Sequence, residues 1–159
     1  TPDAGIDLNN QSATALFALG THVLGGQDTE WVYLQANSSI SARTMIAFTA
    51  LGSAGMASGA DILAGSQLGT AQLTVSVSSF FWAAIRGVGL TVLTTGSCTA
   101  VAQGIFLAAS STPTGVLSNV ASASGSVAGI SFTDSTNQTA TSTFTTATLT
   151  WPRGAAPGL

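Results

Sequence analysis

From Thr21 onward, short runs of apolar, branched and aromatic residues recur between Gly- and Ser-rich breaks, a strand-like pattern. Leu73, Val75 and Val77 alternate with Thr74, Ser76 and Ser78, the pattern of a half-buried strand. Residues 30–36, Glu-Trp-Val-Tyr-Leu-Gln-Ala, are rich in the aromatic and branched side chains that favour strands. Further strands are expected at 43–49, 81–87, 89–95, 103–108, 127–133 and 143–151. Gly- and Ser-rich breaks separate them, among them Gly25-Gly26, residues 51–59, Gly87 and Gly96-Ser97. Pro152 has no backbone N–H and is expected to end the last strand. A helix over residues 50–63 is interrupted by glycines and carries little weight. The fold class expected is all-β: a small barrel or sandwich of short antiparallel strands.

The run from Phe80 to Arg86 is apolar on both faces. Phe81, Ala83 and Ile85 point one way, and Phe80, Trp82 and Ala84 the other. Such a strand needs a second layer or a neighbouring subunit on its other face. Phe80, Phe81, Trp82, Trp31 and Trp151 are therefore expected in the core or at a subunit interface.

Residues 1–19 follow no such pattern. Their sparse apolar residues are Ile6, Leu8, Leu16 and Phe17. Two readings stand side by side: a frayed terminus, or an extended arm that orders on a partner through those four side chains. The division expected is an arm at 1–19, a β domain at 20–153 and a tail at 154–159.

Charge changes this picture most. Only 6% of the residues are charged, with six acids, three arginines and no lysine, for a net charge of −3. Typical domains carry about 25%. Ser and Thr supply about a quarter of the chain instead. Such a surface repels its copies weakly and loses little on desolvation, so the chain reads as one that packs against neighbours. Phosphate neutralisation has almost nothing to work with, so no nucleic-acid partner is expected. The longest apolar run, Phe80 to Ile85, is far shorter than the ~20 residues of a membrane helix, and no membrane partner is expected. Cys98 stands alone and reads as a small buried hydrophobe. The first residues lack a basic and apolar leader, so no signal peptide is expected. Sequons at Asn10, Asn37 and Asn137 are attributed to the frequency of Ser and Thr.

Candidate chemistry is thin. His22 is the only histidine, and neither a Gly-x-Ser-x-Gly elbow nor a phosphate-loop lysine occurs. Asp28 and Glu30 lie two apart, a spacing that reads as a polar hairpin turn before a pair of acid–base carboxylates. Asp61 and Asp134 read as turn residues. No catalytic residue, metal site or cofactor is expected. Trp31, Tyr33, Trp82 and Trp151 have the rings to stack sugars or bases, but core and interface packing is the reading preferred.

Several segments resemble a family of phage head proteins. They are Glu30 to Ala36, Ile40-Ser41-Ala42, Gly69-Thr70-Ala71-Gln72, Phe80 to Gly87, Thr112-Pro113-Thr114-Gly115-Val116-Leu117, Val127-Ala128-Gly129-Ile130 and Leu149-Thr150-Trp151-Pro152. Their order, over residues 20–153, is similar to that of small all-β head decoration, or cementing, proteins of tailed bacteriophages. The resemblance departs at Phe80-Phe81, where a Gly-Tyr-like pair would precede Trp82. It implies a non-enzymatic protein of the virion, on the outer surface of the head. It also implies a homotrimer that binds the major capsid protein and cements neighbouring capsomers. The alternative is a receptor- or glycan-binding β module of a tail fibre or bacterial adhesin. A solvent-facing groove at Trp31, Tyr33 or Trp151 would favour that alternative.

Overall fold

A computed structural model describes residues 6–94, 108–109, 115, 117–118, 126–132 and 143–155. Its strands are β1 (Gln11–Ser12), β2 (His22–Leu24), β3 (Glu30–Ala36), β4 (Met45–Phe48), β5 (Ser53–Met56), β6 (Gln67–Thr70), β7 (Phe80–Thr94), β8 (Ala108–Ala109), β9 (Leu117–Ser118), β10 (Ser126–Phe132) and β11 (Thr143–Ala155), with one short helix, α1 (Gly59–Leu63), between β5 and β6. The protein is all-β. The strands join in one mixed sheet along the order β10-β11-β6-β4-β5-β3-β7-β9-β8, with β1 on β7 and β2 on β3. Most pairs are antiparallel as expected, but β3–β5 and β7–β9 run parallel.

The pairings also close on themselves. β3 pairs β5, β5 pairs β4, β4 pairs β6, β6 meets β7 at Thr70 and Ala84, and β7 returns to β3. Closure leaves no free edge within this ring. One hydrophobic cluster fills it, with Val32, Leu34, Ile46, Ala54, Phe81 and Ala83 at its centre. Gly69 of β6 sits where an added Cβ would lie 3.0 Å from the Ala84 carbonyl and 3.2 Å from Ile85 Cγ2, so close strand approach needs a glycine there.

A second cluster packs on the opposite face of the same strands. It joins Trp31, Tyr33, Trp82 and Ala84 to Leu90, Val92, Val127, Ile130, Ala147 and Leu149. The two faces of β7 therefore part as the alternation predicts: Phe81, Ala83 and Ile85 enter one core, and Phe80, Trp82 and Ala84 adjoin the other. Both layers come from a single chain, so β7 asks for no second subunit to cover it.

Several boundaries differ from expectation, each for a local reason. Gly87 does not break the strand. Between the pairs Ala147–Leu90 and Leu149–Gly87, β7 carries one residue more than β11, and Gly87 and Gly89 take positive φ to form this bulge. The alternating run at 73–77 is no strand; Val75 alone bridges Ile40, so a period of two without a paired backbone was misleading. Its Val75 is buried while Val77 is exposed. The Gly-rich break at 51–59 contains β5. Helix α1 starts on a reciprocal cap. Ser58 N–H and Oγ donate to Asp61 Oδ2 at 2.8 and 2.5 Å, and Asp61 N–H donates to Ser58 Oγ at 3.3 Å. β11 continues through Pro152 to Ala155, past the expected end of the domain, because Pro152 falls in a bulge where no ladder hydrogen bond is required of it. The β2–β3 hairpin turns as expected: Gln27 and Asp28 both have positive φ, the pair a type I′ turn uses, and Thr29 N–H donates to the Gly26 carbonyl. The rest of the strand expected at 103–108, together with Cys98, Asp3, Asp134 and Asn137, lies outside the described residues.

Trp82 is 2% exposed and Phe81 fully buried, on opposite faces of one strand. Trp82→Ala and Phe81→Ala should each lower unfolding free energy by about 3–5 kcal/mol in denaturant melts. Gly87→Ala should also destabilise, because its Cβ would lie 2.5 Å from Thr29 Cγ2 at a φ of 143°.

Candidate functional site

The segment expected as an extended arm is folded back on its own β domain. Gln11 and Ser12 pair with Phe81 and Phe80 as an added strand on β7, and Gln11 Oε1 accepts a hydrogen bond from Ser76 N–H at 2.8 Å. Leu8 is buried in the second core, and Ile6 and Phe17 pack against it. Phe17 meets Tyr33 and Trp82, each at a centroid distance of 5.3 Å, and Tyr33 lies 4.9 Å from Trp82. Phe80 stacks on Tyr33 at 6.1 Å. Tyr33 Oη accepts Leu16 N–H at 3.0 Å, so the buried phenol is satisfied by the segment that covers it. Of the four arm residues, Leu16 alone is strongly exposed, at 66%. Sparse apolar residues without periodicity gave no sign of this, because a covering segment is shaped by the surface beneath it and not by its own repeat. A cleft of about 490 Å³ opens beside Ile6, Leu16, Phe17 and Phe80.

Trp31 and Tyr33 are buried, and Trp31 Nε1 donates to Thr29 Oγ1 at 3.0 Å. Trp151 is the exception among the tryptophans, with 51% of its surface exposed. Three side chains from other strands hold or surround it. Its Nε1 donates to Glu30 Oε2 at 3.1 Å. Glu30 Oε1 lies 2.8 Å from His22 Nδ1, and the Arg86 guanidinium stands 5.1 Å from the centre of the Trp151 ring, a cation–π contact. Arg86 also lies 3.9 Å from the exposed Asp28 carboxylate, a contact of little energetic weight. A cleft of about 210 Å³ borders the ring, lined also by His22, Gln67 and Arg153.

The backbone at Trp151 is the reason it faces outward. Between the pairs Ile130–Leu149 and Ala128–Arg153, β11 carries two residues more than β10. Gly129 lies opposite, at φ 80°, where an added Cβ would come within 2.6 Å of the Thr150 carbonyl oxygen. Trp151 itself has φ 45°, a region that non-glycine residues enter at about 1–3 kcal/mol. Sequence reasoning gave Glu30 and Asp28 to a hairpin turn and Trp151 to packing. The structure gives Asp28 to the turn, and Glu30 to a bridge between His22 and Trp151.

Among the described residues, no group of three or more His, Cys, Asp or Glu side chains is placed to hold a metal ion. No described helix is long and apolar enough to cross a membrane. No protein-family model matches the chain, and no curated protein is significantly similar to it.

With Trp31 and Trp82 buried, iodide or acrylamide should quench chiefly Trp151 fluorescence, and Trp151→Phe should remove that quenchable component. Phe17→Ala, at a partly exposed position, should destabilise the protein by about 2–3 kcal/mol in the same denaturant melts, less than a fully buried phenylalanine.

Proposed function

We propose that this chain is a non-enzymatic structural protein that binds the outer surface of a phage head and cements neighbouring capsomers. The observation that carries the reading is the surface; of the three aromatics named above, Trp31 and Tyr33 are buried, and the exposed Trp151 beside its cleft is the one observation that favours the alternative, a glycan-binding β module. Six acids and three arginines serve 159 residues, and Leu16, Leu24, Leu51, Val77 and Val88 are all more than half exposed. Contact between such a surface and a neighbour removes few charges from water, so association meets a small desolvation penalty. The family resemblance of residues 20–153 supplies the identity of that neighbour, the major capsid protein, and a homotrimer as the bound form. The trimer rests on that resemblance and on the surface, since both faces of β7 are covered within the chain. Ile6, Leu8 and Phe17 are engaged in this chain's own packing, which leaves Leu16 as the arm residue offered to a partner. Many copies, each with a modest interface, would make attachment lasting through avidity.

Heads lacking the protein should take it up from solution, and cryo-electron microscopy should show it as knobs on the shell. Raising salt from low to about 1 M should change occupancy little, because few charges enter the contact. Sedimentation should give a trimer at micromolar concentration. Absence of knobs on decorated heads would refute the reading.

A further inference from the structure

Along β11, Ala147 and Leu149 are buried and Thr146 and Thr150 exposed. Continued alternation would send Trp151 into the core beside Leu149. The bulge opposite Gly129 shifts the pattern by one residue, so that Pro152 is buried and Trp151 stands outside. Bulges re-aim side chains in this way next to functional sites. The ring is also fixed at its edge by Glu30 and on one face by Arg86. A tryptophan left outside by chance would need neither the rare backbone conformation nor two partners from distant strands.

We infer that Trp151 is the stacking platform of a sugar-binding site, and that its ligand is a single hexopyranose ring of a neutral glycan. A pyranose presents a face of C–H groups and a rim of hydroxyls. The C–H face suits the indole surface away from Arg86, and the hydroxyls suit polar side chains arranged around it. His22, Gln67 and Arg153 line the cleft beside the ring. His22 Nδ1 lies 2.8 Å from Glu30 Oε1, a contact that fixes the imidazole beside the cleft it lines. The cleft, at about 210 Å³, is smaller than the sites that take drug-sized ligands and matches one ring better than a chain of them. A nucleobase would also stack, but a chain with net charge −3 and no lysine offers its phosphates no attraction. The inference does not rest on the capsid reading, and it is tested on the isolated full-length protein.

Titrations with glucose, galactose, N-acetylglucosamine and their short oligosaccharides, followed by tryptophan fluorescence and calorimetry, measure it directly. At least one sugar should shift the Trp151 emission with a dissociation constant on the order of 1 mM, the range open to so small a ligand. Trp151→Ala should weaken binding at least about tenfold and Gln67→Ala about fivefold, the loss of one hydrogen bond, with Trp151→Phe in between. Thermal melts of Gln67→Ala should match the parent, which separates ligand contact from folding. Absence of saturable binding by any of these sugars at about 100 mM would overturn the inference. So would an affinity of Trp151→Ala and Gln67→Ala unchanged from the parent, or shielding of Trp151 from quenchers by capsid protein alone.

Discussion

Between Phe81 and Ile85, β7 has no solvent face, and the remainder of the fold is arranged around that constraint. A strand apolar on both sides must be covered twice. Curling β3, β5, β4 and β6 round to meet β7 covers one side with the barrel core. The far half of β7, together with β10, β11 and the N-terminal segment, covers the other. Each buried side chain of valine to phenylalanine size contributes about 1.5–3 kcal/mol, so doubling the layers on one strand is worth more than extending a single-faced sheet. The N-terminal segment belongs to this arrangement: without Leu8 and Phe17 the aromatic group of Tyr33 and Trp82 would lie open.

Glycines appear where this double layering forces backbones together or turns them. Gly69 lets β6 approach β7 inside the barrel, Gly87 lets β7 pass Thr29, and Gly129 lets β10 pass the bulge of β11. Large side chains pack against one another elsewhere, and small residues such as Ala36, Ala54, Ala83 and Ala84 fill the positions between. Such pairing of large and small side chains fills the two cores of a chain of modest aromatic content.

Few charges and many hydroxyls suit the same design. A hydroxyl on or beside a strand can satisfy itself on nearby backbone, as Thr44 Oγ1 does on the Ser41 carbonyl and Thr70 Oγ1 on that of Thr44. Charged groups cannot be buried so cheaply; Glu30 and Arg86 contact the exposed Trp151 at the β11 bulge, with His22 on Glu30 and Asp28 beside Arg86. Three of the non-glycine residues with positive φ, Gln27, Asp28 and Trp151, lie in this same region.

The all-β class, the β3 boundaries, the hairpin turn at Gln27-Asp28 and the two-sided burial of β7 were legible in the sequence. Each depends on neighbours within a few residues: alternation, branched and aromatic content, turn chemistry. Where alternation and pairing part company, sequence alone misled. Residues 73–77 alternate but find no partner beyond Val75, and Gln11–Ser12 carry no pattern yet pair with β7. The bulges at Gly87 and Gly129 depend on residue counts in two strands far apart in the chain, so neither strand alone announces them. The exposure of Trp151 follows from such a mismatch and from Glu30 and Arg86 on other strands. The strands themselves were written in local pattern; which of them close the barrel, what covers its outer face and which tryptophan stands in solvent were decided by tertiary pairing.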